Sequence, residues 1–327
     1  MRVYDSNGNL INTDILGEVV NLNMLKYRRD ITINNTSNPS SLTNYQVLIT
    51  VDTSTPISAG KMRSDGGDIR FYDGANNLSY WIESGINTSS TKIWVNVPSI
   101  PAMSTKVIQM YYGNPNLTSL SNGNNTFLLF DDFLGSSLDT NKWILARPTG
   151  TGTYSATVAN GYVEIYAASN TAALIVSQIS VSFPFAIEGV WKYNTGLENW
   201  HAFTQTSGGS DSDWVRVGYS GSYFYYQKRT SGTISTYQSF SRTAPTSWTR
   251  ISVQITLSSV KYFENGTQVN STTMQDRYTG GINYPQFMVW NGGTSDYDWI
   301  AIRNFTPTEP TITVGSEINL TRILRIK

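Results

Sequence analysis

The sequence predicts an all-β protein made of two tandem antiparallel β-sandwiches. Three observations carry that prediction. Apolar and polar residues alternate with period two through short runs bounded by Gly, Pro, Asn and Ser clusters, the pattern of half-buried strands. Aromatics make up 13% of the chain, with 20 Tyr, 12 Phe and 9 Trp, the side chains that fill pleated surfaces. The one helix-like stretch, Ile57–Arg63, is at most a single turn. At 327 residues the chain is long enough for two cores.

Composition narrows the function. The formal net charge is +0 and charged residues are only 14%, which argues against nucleic-acid binding through clustered cations. With 0 Cys there is no disulfide framework and no thiolate metal site. The single histidine, His201, excludes multi-histidine zinc sites, and Ser-His catalysis anywhere that lacks it. No apolar run in residues 1–26 matches a signal peptide, and no stretch reaches a membrane-spanning length, so no membrane insertion is expected. The surface composition is nonetheless of an extracellular kind, placing the chain on a cell or virion surface. Asn-x-Ser/Thr sequons at Asn34, Asn35, Asn77, Asn87, Asn116, Asn124, Asn265, Asn270, Asn304 and Asn319 fit a glycoprotein, although an Asn-, Ser- and Thr-rich chain also makes them by chance.

Residues 1–26 form an N-terminal arm. Val3–Ile11 reads as a small hairpin turning at Asn7-Gly8, suited to pairing with the body or with another copy in self-assembly. Residues 27–130 form the first sandwich. Its strands are Ile31–Ile33, Tyr45–Val51, Asp68–Tyr72, Tyr80–Ile82, Lys92–Val97 and Lys106–Tyr112, with Pro98, Pro101 and Pro115 at the edges. Tyr27–Ile33, Lys61–Asp65, Asp68–Phe71, Tyr80–Ser84, Lys92–Val95 and Tyr111–Pro115 together resemble an uncharacterised domain family of secreted and envelope proteins. That family is commonly followed by a concanavalin-like domain. Its relatives often carry cysteines at the positions of Gly66 and Ile86, so the resemblance implies a covalent staple that this chain lacks.

Phe130–Trp143 is the seam, with two carboxylates inside an aromatic bracket followed by a Gly-Ser-Ser turn. From 131 to 317 come strands at Tyr154–Val158, Gly161–Tyr166, Phe185–Trp191, Ala202–Gln205, Trp214–Tyr219, Tyr223–Lys228, Trp248–Ile255, Val260–Phe263, Phe287–Trp290 and Trp299–Ile302, with a hairpin turn at Asn265-Gly266. The Phe-Asp-Asp-Phe opening, Ser137–Trp143 and the closing Asp298–Arg303 resemble concanavalin A-like lectin and glucanase domains. The resemblance implies a jelly roll. Residues 318–327 read as a basic tail.

The laminarinase-type members of that group carry two glutamates flanking an aspartate on one strand, the acid pair that retaining hydrolysis requires. No such run exists here. Glu164 and Glu188 are isolated, and Glu198 and Glu264 read as loop and turn residues. No catalytic residue is therefore assigned, and no enzyme activity is expected. The resemblance also implies a structural calcium, with ligands at Asp131 or Asp132, Gly161 and Asp298; Asp132 is taken for the first. Oxygen ligands of this kind suit calcium, and the alternative is that these acids cap turns.

Strand parity suggests a ligand face. Val215 and Val217 facing inward send Trp214 and Arg216 outward, and Val289 facing inward sends Trp290 outward. The same rule places Arg250 and Gln254 outward on their strand, with His201 and Gln205 as candidate additions. Aromatic rings with planar donors suit sugars. The expected function is a non-enzymatic adhesion- or fibre-type surface protein whose partner is a glycan or a surface glycoprotein. Two rivals stay open: a glycoside hydrolase with non-standard acids, and a purely structural subunit of a virion or filament.

Overall fold

A computed structural model describes residues 3–4, 10–12, 25–204, 213–230, 233–273 and 283–320. The protein is all-β, with two short helices among the described residues, Ser54–Ser58 and Gly123–Thr126. It divides into two compact units. The first comprises residues 1–127 and 308–327, the second 128–307. The second unit is thus inserted between strands of the first.

In the first unit β1 (Val3–Tyr4) pairs antiparallel with β2 (Leu10–Asn12), as the hairpin reading expects; the turn between them lies outside the described residues. The body consists of β3 (Tyr27–Asn34), β4 (Leu42–Val51), β5 (Arg70–Asp73), β6 (Asn76–Leu78), β7 (Tyr80–Ser84), β8 (Thr91–Ile100) and β9 (Thr105–Tyr112). Strands β4-β8-β7 make one sheet. Ile31, Ile33, Val47, Ile49, Phe71, Ile93, Val95, Ile108 and Met110 from the two sheets form one core. A Cβ at Gly66 would lie 2.7 Å from Ile86 Cδ1. The two positions to which the resemblance assigns a covalent staple therefore adjoin. Asn35, in a sequon, is 1% exposed and its amide donates to the Pro101 carbonyl at 2.8 Å, so that side chain is committed to the fold.

The second unit begins with β10 (Leu129–Asp131), β11 (Trp143–Ala146), β12 (Tyr154–Ala159), β13 (Tyr162–Ala167) and β14 (Ala172–Ser177). It continues with β15 (Phe185–Thr195), β16 (Glu198–Thr204), β17 (Trp214–Ser220), β18 (Tyr223–Thr230) and β19 (Thr233–Ser241). It ends with β20 (Thr249–Ile255), β21 (Ser259–Glu264), β22 (Thr267–Thr273), β23 (Tyr284–Trp290) and β24 (Thr294–Asn304). An eight-stranded sheet runs β12-β13-β24-β15-β20-β21-β22 with β10 also on β24, and a seven-stranded sheet runs β11-β14-β23-β16-β17-β18-β19. Both are antiparallel and enclose one core, making a jelly roll. The two-residue turns Asn160-Gly161 and Asn265-Gly266 have φ of 55° and 78°, and of 49° and 81°, the left-handed pair that a tight hairpin demands.

The seam is built as one piece. Asp131 Oδ2 accepts from Trp143 Nε1 at 2.8 Å, and its Oδ1 accepts from the Phe133 backbone at 3.0 Å. Trp143, 1% exposed, packs on Phe133 and Phe287.

The C-terminal segment differs from its expected place. Strand β25 (Thr311–Val314) pairs with β3, as does β26 (Ile318–Asn319), extending the sheet to β25-β3-β9-β5-β6. Residues up to 317 were expected in the second sandwich and 318–327 as a basic tail. Two β-patterned residues in four do not say which sheet edge will take them. Residues 321–327 of that expected tail lie outside the described residues.

Candidate functional site

The outer face of the seven-stranded sheet follows from register. In β16, β17 and β18, the residues Asn199, His201, Phe203, Val215, Val217, Tyr219, Phe224 and Tyr226 point inward, so Glu198, Trp200, Arg216 and Tyr225 share the outer face. Trp200 lies opposite Met288 on one side and Gly218 on the other, and Gly218 lies opposite Tyr225. A Cβ at Gly218 would stand 2.2 Å from the Asn199 carbonyl oxygen, so only glycine permits this approach.

The floor of the face is apolar, with Trp200 and Met288 packed with Ala172, Leu174 and Val176, and with Tyr225, Tyr284 and Trp290 against them. Above it the Arg216 guanidinium lies between two indoles, 4.0 Å from the Trp200 ring centre and 4.2 Å from that of Trp214. Such cation–π contacts strengthen as water is excluded. Gln227 Oε1 accepts from Arg216 Nε at 3.0 Å and from an Arg216 terminal nitrogen at 2.8 Å, while Gln227 donates to Thr236 at 3.1 Å. Glu198 accepts from Trp200 Nε1 at 2.8 Å and stands 3.8 Å from the guanidinium. Tyr225 and Tyr223 continue the aromatic line, their ring centres 6.1 Å apart, and Tyr223 is 49% exposed. Trp290, half-buried, faces Glu198 across the strands.

The structure brings together Trp214, Arg216 and Trp290 of the expected ligand set. Trp214 points outward but is only 8% exposed, because the guanidinium covers it. His201 does not belong to this face. It pairs in register with Val217 and Phe287, is 1% exposed, and is surrounded by Trp191, Tyr262, Phe287 and Tyr297. Burial pushes its pKa down to about 3. Arg250 and Gln254 also fail to join. They sit on β20 in the eight-stranded sheet, where Arg250 stands 3.3 Å from Glu188 and Arg303 donates to the same carboxylate at 2.9 Å. Gln205 lies outside the described residues. Sequence reasoning missed Trp200, Tyr223, Tyr225 and Gln227. Alternation through Glu198–Thr204 would have found Trp200, had the strand been started at Glu198.

The acids are also redistributed. Glu198 opens β16 and Glu264 closes β21, where both were read as loop or turn residues. Glu264 points inward and accepts from Tyr219 and pairs with Arg242. Burial, and then that carboxylate, raises the Tyr219 phenol.

Asp132, Gly161 and Asp298 are near one another. Asp131 pairs with Ile300 and Val163 with Tyr297, which brings the next residues of β10 and the β12–β13 turn toward Asp298. Burial, and then the Asp132 charge, raises the Asp298 pKa. Neither carboxylate has an ion-pair partner among the described residues. Phe133, with φ 48°, bends the chain directly after Asp132. No group of three or more His, Cys, Asp or Glu side chains suited to a metal occurs among the described residues. A cation here would rest on two carboxylates, completed by carbonyl oxygens and water.

A family profile described as "Domain of unknown function (DUF2341)" matches residues 65–146. No curated protein matches the chain. Among solved structures, an endo-β-1,3-glucanase from Pyrococcus furiosus is 13% identical, with 55% of this chain and 95% of that one covered and a TM-score of 0.44. LamAcat from Zobellia galactanivorans is 15% identical over 56% of this chain and 100% of that one, with a TM-score of 0.43. The carbohydrate-binding module CBM66 from Bacillus subtilis is 12% identical over 49% of this chain and 96% of that one, with a TM-score of 0.39.

Proposed function

We propose that the chain is a non-enzymatic surface protein, of adhesion or fibre type on a cell envelope or virion, and that it holds a glycan on the outer face of the seven-stranded sheet. The observation that carries this is the stack of Trp214, Arg216 and Trp200, continued by Tyr225 and Tyr223. A guanidinium fixed between rings is already oriented, so little freedom is lost when a hydroxyl meets it. Trp200 is 1% exposed and Trp214 8%, so the ring faces open to the apolar CH face of a sugar are those of Trp290, Tyr225 and Tyr223.

The hydrolase alternative needs two carboxylates about 5–9.5 Å apart around one bond. Among the described strand residues of this face only Glu198 is acidic, and it is held by Trp200 and Arg216. Glu188 lies on the other sheet and Glu264 points into the core. On a glycan array the wild type is expected to bind a defined set of glycans and to release no reducing sugar from them. Trp290→Ala should bind those glycans at least tenfold more weakly. Sugar release that disappears in Glu198→Gln would favour the hydrolase.

The same reading includes a structural calcium at Asp132 and Asp298. A divalent cation would relieve the burial and repulsion that raise the Asp298 pKa. Calcium at a hundred times its Kd should then stabilise the second unit by about 2.7 kcal/mol. Asp298→Asn should melt no lower than the wild type without calcium, and should not respond to it. Equal melting of the wild type with calcium and with chelator leaves the acids as turn caps.

A further inference from the structure

We propose a second sugar-binding site on the opposite sheet, centred on Trp248. It rests on the glycan reading above for the choice of ligand, but uses none of the same residues. All nine tryptophans lie among the described residues, and Trp248, 43% exposed, is the most exposed of them. An indole left 43% exposed forgoes a large part of the stabilisation its full burial would give, and core packing does not account for its position.

The ring is nonetheless held in place. Tyr162 meets it edge-on, with ring centres 5.7 Å apart at 65°. The Lys192 ammonium lies 4.9 Å from the Trp248 ring centre. That ammonium is itself fixed, 2.8 Å from Asp296 Oδ2, while Asn194 donates to Asp296 Oδ1 at 2.7 Å. Asp296 is 2% exposed, so it anchors the cluster from below. In register, Glu164 of β13 faces Asp296, and Asp296 faces Lys192 of β15. Val163 and Ile165 are core residues, so Glu164 lies on the outer side of this sheet, half-buried and without an ion-pair partner among the described residues.

The result is one exposed aromatic plane bordered by an amine, an amide and a carboxylate. An indole takes the CH face of a pyranose, and the three polar groups are complementary to hydroxyls as donors and acceptors. The charges of Lys192 and Asp296 offset each other, which favours a neutral sugar over an acidic one. With a site on each sheet, the second unit would engage two sugars of a dense glycan surface at once, and the second contact would form at a high effective concentration.

Calorimetry with neutral hexasaccharides of glucose, galactose and mannose tests this on the full chain. The wild type should bind two sugars per chain. Trp248→Ala should bind one, as should Trp290→Ala, and the double variant none. On immobilised polysaccharide each single variant should bind at least tenfold more weakly than the wild type. Because Trp248 lies outside the core and is 43% exposed, Trp248→Ala should lower the melting temperature by only a few degrees, and Trp248→Phe should keep part of the binding. Unchanged stoichiometry in Trp248→Ala, with binding lost in Trp290→Ala, overturns the second site and leaves the first reading intact. One binding event lost only in Trp248→Ala supports the second site and overturns the first. No binding by the wild type overturns both. Loss of binding to a protein partner, without any sugar binding, assigns Trp248 to protein docking and overturns the proposal.

Discussion

A chain ending at Pro307 is expected to lose the folding transition of the first unit and to keep that of the second. Strand β3 is paired with β9 on one side and with β25 and β26 on the other. Removing residues 308–327 leaves the second edge without partners, although it is sheet interior by design. Ile312 and Val314 pack on the core of the first unit. Glu317 accepts from Tyr112 at 2.7 Å and pairs with Lys61, and Glu309 accepts from Tyr45 at 2.9 Å. Two aliphatic side chains at ~1.5 kcal/mol each and several net hydrogen bonds at ~1 kcal/mol each total more than about 5 kcal/mol. That is comparable with the whole stability of a domain. Calorimetry should therefore show one unfolding transition in place of two, and limited proteolysis should leave a fragment near residues 128–307. A synthetic peptide of residues 308–320 should restore the missing transition. Two unchanged transitions in the shortened chain would show that the strand is dispensable.

The second large effect concerns His201. Burial holds it neutral, with its pKa pushed down to about 3, against about 6.5 in the unfolded chain. The unfolded state therefore binds a proton that the folded state refuses. The resulting stability is complete above pH 6.5 and is lost progressively as pH falls toward 3. Over that window it should decline by about 1.4 kcal/mol per pH unit, or about 2 kcal/mol between pH 6.5 and pH 5, before most carboxylates titrate. The chain has no other histidine, and the raised Asp298 acts in the opposite sense, so a loss of stability in this window points to His201. Denaturant unfolding of the second unit at several pH values should show this slope, and His201→Phe should be flat between pH 6.5 and 5. An equal slope in both proteins would mean that His201 is not the group responsible.

Much of the fold was legible because valine and isoleucine alternation marks which side of a strand is buried. Val215 and Val217 oriented Trp214 and Arg216 correctly, and Asn265-Gly266 marked its turn. Parity does not, however, say which sheet a strand joins. Arg250 and Gln254 point outward as expected, yet from the opposite sheet. Nor does it say what covers an outward residue: Trp214 is buried by Arg216, a contact between outward neighbours two residues apart. His201 was grouped with the face on residue type, although its alternation with Trp200 sends it inward. Strand β25 was unreadable for a different reason. Its partner is nearly three hundred residues earlier, and no local pattern encodes such a pairing.

The glycan face is tested most directly by one measurement, the affinity of Trp290→Ala for the best-bound sugar beside that of the wild type. Trp290 is half-buried at the rim, next to Glu198, so its removal leaves the Arg216 stack standing. Aromatic anchors commonly dominate a contact surface. The outer-face site should weaken at least tenfold, about 1.4 kcal/mol, while the melting temperature moves by only a few degrees. A folded Trp290→Ala protein that binds as tightly and with the same stoichiometry as the wild type would contradict the assignment of this face.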